Sequence, residues 1–245
     1  MNILVVAAHP DDEVLGCGGT LCRHSEEGHH VFVVYMAQGI MSRFQEENAG
    51  ERNEEVGRLR EDARKAADLL GVEETVFFDF PDNRMDHVDL LDVVQGVESS
   101  LERFHPSIVY THHEGDLNID HSIVARAVIT ATRPQQAQTV EEVYAFEVLS
   151  STEWAFHQTD GVFSPNCFVG MEAYLDRKLE AMAAYQSEVR RFPSPRSLES
   201  IRYLARLRGS QAGLEAAEAF RLIRRISRLR AHEFQQVPRI PLYVS

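Results

Sequence analysis

Positive charge is in short supply in this chain. Against 38 aspartates and glutamates stand 25 lysines and arginines, a formal net charge of −13 over 245 residues. That balance disfavours non-specific binding to nucleic acid or to an anionic membrane face. Cysteine is scarce as well. Cys17, Cys22 and Cys167 cannot all pair and show no C-x-x-C spacing, so they read as buried or half-buried thiols of a reducing cytosol rather than as a redox or metal site. Long apolar runs are missing: the first, at residues 3–8, stops at His9-Pro10-Asp11-Asp12, far short of a bilayer span. No basic leader precedes it, and the expectation is a cytoplasmic protein. Repeats and low-complexity segments are lacking too. Neither a G-x-G-x-x-G nor a P-loop pattern follows the first apolar run, because Gly16, Gly18 and Gly19 come too late to cradle a pyrophosphate at a helix start.

What is present is alternation. Continuous β-prone runs occupy residues 3–8, 31–37, 75–80, 107–111 and 143–149. Runs that are apolar throughout, rather than at every second position, predict strands buried on both faces of a parallel sheet. Between them, residues 51–70 end at Gly71, a helix C-cap, and residues 88–104 carry apolar side chains at helical spacing. The pattern predicts an α/β protein with a doubly wound, mainly parallel sheet over residues 1–150, covered by helices on both faces. Residues 151–245 are expected to form a mostly helical C-terminal part of the same domain, with helices at 172–189, 198–209 and 214–236. Arg221, Arg224, Arg225, Arg228 and Arg230 scatter around the last of these, which suits a solvated or subunit-facing surface and leaves a homo-oligomer open. The polar stretch 39–50 reads as a mobile loop near the strand ends.

Two motifs carry chemistry. His9-Pro10-Asp11-Asp12-Glu13 follows the first strand, and ligands of open α/β sheets bind beyond the carboxyl ends of strands. His9 and Asp12, three residues apart across a helix start, can converge on one point. Asp11 then projects elsewhere, which leaves one carboxylate for a metal and one for a water. Helix capping would explain the acids but not the histidine. A magnesium pocket would make poor use of imidazole, whereas nitrogen beside carboxylate suits zinc or another transition metal. The second motif runs from His112 through His113, Glu114, Asp116, Asn118 and Asp120 to His121. It follows a strand and opens a helix, so it falls on the same rim.

At these residues the chain resembles the PIG-L/LmbE-like family of zinc-dependent N-deacetylases. The run Ala8-His9-Pro10-Asp11-Asp12-Glu13 after an apolar strand and the run Asn118-Ile119-Asp120-His121 before a helix carry the likeness. Weaker echoes lie at Arg58-Leu59-Arg60-Glu61-Asp62, at Phe80-Pro81-Asp82-Asn83-Arg84 and between Lys178 and Gln186. The resemblance implies a Rossmann-like fold and a zinc ion, with Fe2+ as an alternative, on His9, Asp12 and His121. It implies that Asp11 is the general base and that Arg58 or Arg60, together with Asp82, holds a sugar. Glu13 and Asp120 are expected to orient the ligands. Many members place a histidine three residues before the metal histidine, where this chain has Asn118. The oxyanion donor is therefore Asn118, His112 or His113, with His113 favoured because an imidazole can carry charge.

The function expected is removal of an N-acetyl group from a small-molecule amino sugar. Two other classes compete: a sugar- or nucleotide-binding protein without catalysis, and a phosphoesterase, which usually wants two metals.

Overall fold

The computed structural model describes residues 1–40, 49–135, 139–156 and 161–227. Five expected strands form at β1 (Asn2–Ala7), β2 (His30–Ala37), β3 (Glu74–Phe80), β4 (Ile108–His112) and β5 (Glu142–Phe146). All pair in parallel. Two more, β6 (Cys167–Gly170) and β7 (Ala217–Arg225), complete a seven-stranded sheet of order β3-β2-β1-β4-β5-β7-β6. Among the described strands β7 is antiparallel to both β5 and β6, and so runs opposite to the other six.

The unbroken apolar runs have the reason expected of them. Ile3 and Val5 of β1 face a core filled from α1 (Asp12–Glu26), α2 (Ala49–Leu70), α5 (Leu175–Ala184) and α6 (Leu198–Ala212). Leu4 and Val6 face a second core filled from α3 (Leu90–Phe104) and α4 (Ile119–Ala131). The sheet is thus doubly wound, with helices on both faces. The early glycines serve packing: a Cβ at Gly16 would lie 2.3 Å from the Phe146 ring, so a side chain there would push α1 off the sheet.

The C-terminal part departs from expectation. Residues 214–236 do not begin a helix; their described portion, 214–227, holds β7. Its pairing explains the arginines better than a helix does. Arg225 lies opposite Glu142 of β5 and is 3.0 Å from its carboxylate, a cross-strand charge pair. Arg224 donates to the Thr132 carbonyl at 2.6 Å. The signal misled because the arginines interrupt the apolar alternation of a strand with one half in contact with solvent. Arg228 and Arg230 lie outside the described residues, as does most of the stretch 39–50. The helix expected at 172–189 is confined to α5, preceded by a 3-10 turn at Glu172–Tyr174. Among the described residues no helix is long and apolar enough to cross a membrane.

Winding order places the site. The chain turns back at β1, leaving β1 and β4 adjacent with their crossovers on opposite faces. Ligands of such sheets bind at that switch point, and both motifs sit there.

Candidate metal centre

The first motif folds back on itself at the end of β1. Asp11 takes a left-handed backbone, with φ 103°, a conformation rare for a residue bearing a side chain and concentrated at functional sites. Its N–H donates to Glu13 Oε2 at 3.0 Å, and the His9 N–H donates to Asp12 Oδ2 at 2.8 Å. Glu13 also accepts from the Tyr185 hydroxyl at 2.7 Å. Asp11, Asp12 and Glu13 are all buried.

The second motif is fixed by caps. The Asn118 side chain caps α4 by accepting from the Asp120 N–H at 2.9 Å, and Asp116 accepts from the Asn118 N–H at 2.9 Å. Ser151 and Thr152 donate their hydroxyls to Asp116. His121, in the first turn of α4, is thereby held with Nδ1 3.2 Å from Asp116 and Nε2 3.3 Å from Asp12.

His9, Asp12 and His121 thus converge, each with one ligand atom within 4.8 Å of the other two. The His9 ring is tied down from behind: Nε2 lies 2.9 Å from Asp120 and 3.1 Å from Asp82. A carboxylate only accepts, so Nε2 carries a proton and Nδ1, 3.4 Å from Asp12, is the atom turned to the cluster. Asp120 in turn accepts from the N–H groups of Asn83 and Met85. That arrangement, an imidazole oriented by an anchored carboxylate, is the one metal-binding histidines use. His9, Asp82 and Asp120 also form a second possible ligand group, but it shares His9 with the first, and Asp120 already accepts two backbone N–H groups.

Do these residues fit a metal ion? Among the described residues Asp12 Oδ1 and both ring nitrogens of His121 are buried without a hydrogen bond, although the nitrogens lie 3.2 Å from Asp116 and 3.3 Å from Asp12. Such orphans are uncommon in folded proteins and mark a missing partner. The electrostatics point the same way. Burial alone would raise the Asp12 carboxyl, yet the facing His121, helped by the hydrogen bond from His9, holds it well below the usual range. Burial opposes a charge on His121, but Asp12 and Asp116 lift its pKa to about 9. Burial opposes a charge on His9 as well, and Asp12, Asp120 and Asp82 outweigh it. A buried carboxylate here demands a cation, either a proton on an imidazole or a metal ion in its place. Two nitrogens and one carboxylate are a zinc-type donor set.

Beside the cluster Asp11 is pushed upward, first by burial, while the Arg196 guanidinium opposes the shift. Arg196 pairs with both Asp11 and Glu188 and donates from Nε to Ser150 Oγ at 2.8 Å. Burial raises Glu13 to about 7. A cleft of about 170 Å³ opens onto this group, lined among others by His9, Asp11, Asp82, Asn118, Glu188 and Arg196.

Several expected residues are placed elsewhere. His113, favoured as the oxyanion donor, turns away from the cluster: Nε2 lies 2.6 Å from the Gly161 carbonyl and its ring packs on Phe163. A carbonyl cannot donate, so the His113 N–H is spent there. His112 accepts the Ala8 N–H through Nε2 at 2.8 Å, and burial lowers its pKa to about 3, so it is neutral and stacked on His121. Asn118, at the cleft wall, is the one of the three that faces it. Arg58 pairs with Glu54 and Glu55 of its own helix. Arg60 pairs with Asp79 and lies over the Phe77 ring. Neither is among the described residues lining the cleft, whereas Asp82 is. Sequence reasoning singled out neither Arg196 nor Glu188, and it gave no role to Asp116 of the second motif or to Tyr185 of the stretch 178–186; Arg196 sits in a segment with no motif.

A doubly wound sheet with a two-histidine, one-carboxylate cluster at its switch point defines a metal-site α/β protein. The chain belongs to the PIG-L family, the GlcNAc-PI de-N-acetylases, whose model matches residues 4–132. The uncharacterized deacetylase YaiS of Escherichia coli is 30% identical over 192 residues, covering 76% of this chain and 91% of that protein. The structure of N,N'-diacetylchitobiose deacetylase from Pyrococcus horikoshii matches with a TM-score of 0.73 at 20% identity, over 91% of this chain and 84% of that one. GalB, a 4-carboxy-2-hydroxymuconate hydratase from Pseudomonas putida, matches with a TM-score of 0.72 at 23% identity, over 94% and 99% of the two chains. At such identities the likeness to the two solved structures concerns the fold.

Proposed function

We propose that the chain is a zinc-dependent N-deacetylase that hydrolyses the acetamido group of a small-molecule amino sugar, working as one unit over residues 1–245 in the cytoplasm. The observation that supports this most is the convergence of His9, Asp12 and His121, with Asp12 Oδ1 and His121 Nε2 lacking a hydrogen bond among the described residues, beside the buried Asp11. Fe2+ suits the same donors. A divalent ion held by His9, Asp12 and His121 would supply Lewis acidity for the water and the acetyl carbonyl.

The remaining work falls to side chains. Asp11, buried and raised, accepts a proton from the attacking water and returns it to the leaving amine as the C–N bond breaks to give acetate. Arg196 fixes the Asp11 carboxylate and opposes its protonation in the resting site. Asn118 offers its amide N–H to the oxygen that gains charge. Asp82 and Glu188, on the cleft wall, are positioned to accept from sugar hydroxyls. Asp120 and Asp116 hold the two imidazoles.

The test is a panel of N-acetylated sugars incubated with zinc-loaded protein and assayed for primary amine. Amine release by the wild type and none by His121→Ala is expected. Full zinc occupancy without release from any acetamido sugar would overturn the reading.

A further inference from the structure

The far end of α1 carries a second set of metal-type donors, unrelated to the cleft. The helix stops in a tight C-terminal motif. The His29 N–H donates to the His24 carbonyl and the Gly28 N–H to the Ser25 carbonyl, both at 3.0 Å, with Gly28 left-handed at φ 77°. In this motif the residue after the glycine packs against the residue three positions before the cap, and that contact is ordinarily apolar. Here both positions are histidine. Their Nδ1 atoms lie 3.0 Å apart. Glu27, the cap itself, brings a carboxylate oxygen, so that one donor atom from each of the three lies within 4.8 Å of the others.

From this geometry we infer a second divalent transition-metal site formed by His24, Glu27 and His29. Two nitrogens about 2.0–2.1 Å from one tetrahedral ion lie about 3.4 Å apart, so the pair needs to open by only a few tenths of an ångström. The chemistry of the trio, two imidazoles and one carboxylate, selects zinc, nickel or copper over magnesium or calcium. His24 is anchored from behind: its Nε2 lies 3.0 Å from the Tyr110 hydroxyl, which leaves Nδ1 directed at His29 and Glu27. The C-terminal end of a helix also favours a cation through its dipole. Arg23 holds Glu27 Oε1 at 2.8 Å, so binding exchanges one partner of that carboxylate for another, and the site is weaker than a buried one. The cleft ligands sit at the N-terminal end of α1 and this trio at its C-terminal end, so the 15-residue helix, kinked at Cys17, lies between the two sites.

The experiment is equilibrium dialysis of the full chain against Zn2+, with elemental analysis of bound metal. Two equivalents are expected for wild type and one for His29→Ala, and the same loss of one equivalent for a Glu27→Gln/His29→Ala pair. Arg23→Ala should tighten the weaker equivalent. Because His29 lies at the opposite end of α1 from the cleft, deacetylation by the His29→Ala protein should match wild type. The same comparison in a His121→Ala background separates this site from the catalytic one, since the His29-dependent equivalent should persist there. A His29→Ala protein that binds as much Zn2+ as wild type, in either background, overturns the inference.

Discussion

The Asp11 carboxylate meets the Arg196 guanidinium across 185 residues of sequence. The pair ties the acid at the start of α1 to the segment before α6. Burial pushes Asp11 upward and Arg196 opposes it, so the pair keeps a deeply buried acid able to act as a base. Removing the cation therefore raises the Asp11 pKa further. In Arg196→Gln the acid limb of the rate profile should move to higher pH by about 1–3 units, the range for a carboxylate losing an adjacent arginine. Turnover should recover at alkaline pH. A profile of unchanged midpoint, merely scaled down, would show that Arg196 serves the substrate instead.

Each proposed metal ligand should be indispensable, because three protein donors leave no redundancy. His9→Ala, Asp12→Ala and His121→Ala are expected to lose zinc and activity together. Asp120→Ala should be milder, at about 10–100-fold in metal affinity, since Asp120 orients His9 rather than binding the ion. Full zinc content in any of the first three removes that residue from the ligand set.

Asp11→Asn should separate binding from chemistry. Its carboxylate lies beside the cluster and pairs with Arg196, so the amide variant is expected to retain zinc. Turnover should fall by about 10²–10⁴-fold, the share of a general base. Near-normal turnover would move the role to Glu13, whose pKa of about 7 suits it.

A stability prediction comes from β7. Glu218 is buried and accepts from Lys178 Nζ at 2.6 Å, and from the N–H groups of Gly19 and Thr20. Lys178→Met leaves that carboxylate without its counter-charge, a change that typically costs about 3–5 kcal/mol. Denaturant unfolding should report a loss of that order.

Both motifs were legible in the sequence because each is local: a few residues at a strand end, joined through caps within one turn. The strands β1, β2 and β4 were legible because burial on both faces leaves an unbroken apolar run, and β3, half-buried at the sheet's edge, because of its aromatic and β-branched residues. β7 was not, since Arg221, Arg224 and Arg225 mask its alternation and its partners lie far away in the chain. Arg196 was invisible for the same reason. Its role is set by Asp11, Glu188 and Ser150, a meeting that only the tertiary fold creates. His113 misled because a strand-end histidine beside a metal motif says nothing of its side-chain direction, which the Gly161 carbonyl decides.

The oxyanion donor is the sharpest test of that difference. With His113 spent on Gly161 and His112 neutral beneath His121, Asn118 is the candidate at the cleft wall. Asn118 does two jobs, however: its Oδ1 caps α4, and its Nδ2, 3.3 Å from Asn83 Oδ1, can donate into the cleft. Alanine would remove both, at a cost of about 1 kcal/mol for the cap alone. Aspartate keeps the capping oxygen and removes the donor. Asn118→Asp should therefore hold the melting temperature near wild type while turnover drops by about 10²–10³-fold or more, because an anion now faces the developing charge. His113→Ala should keep both zinc and turnover. A strong loss in His113→Ala, with Asn118→Asp active, would return the role to the histidine and require its ring to leave Gly161 during the reaction.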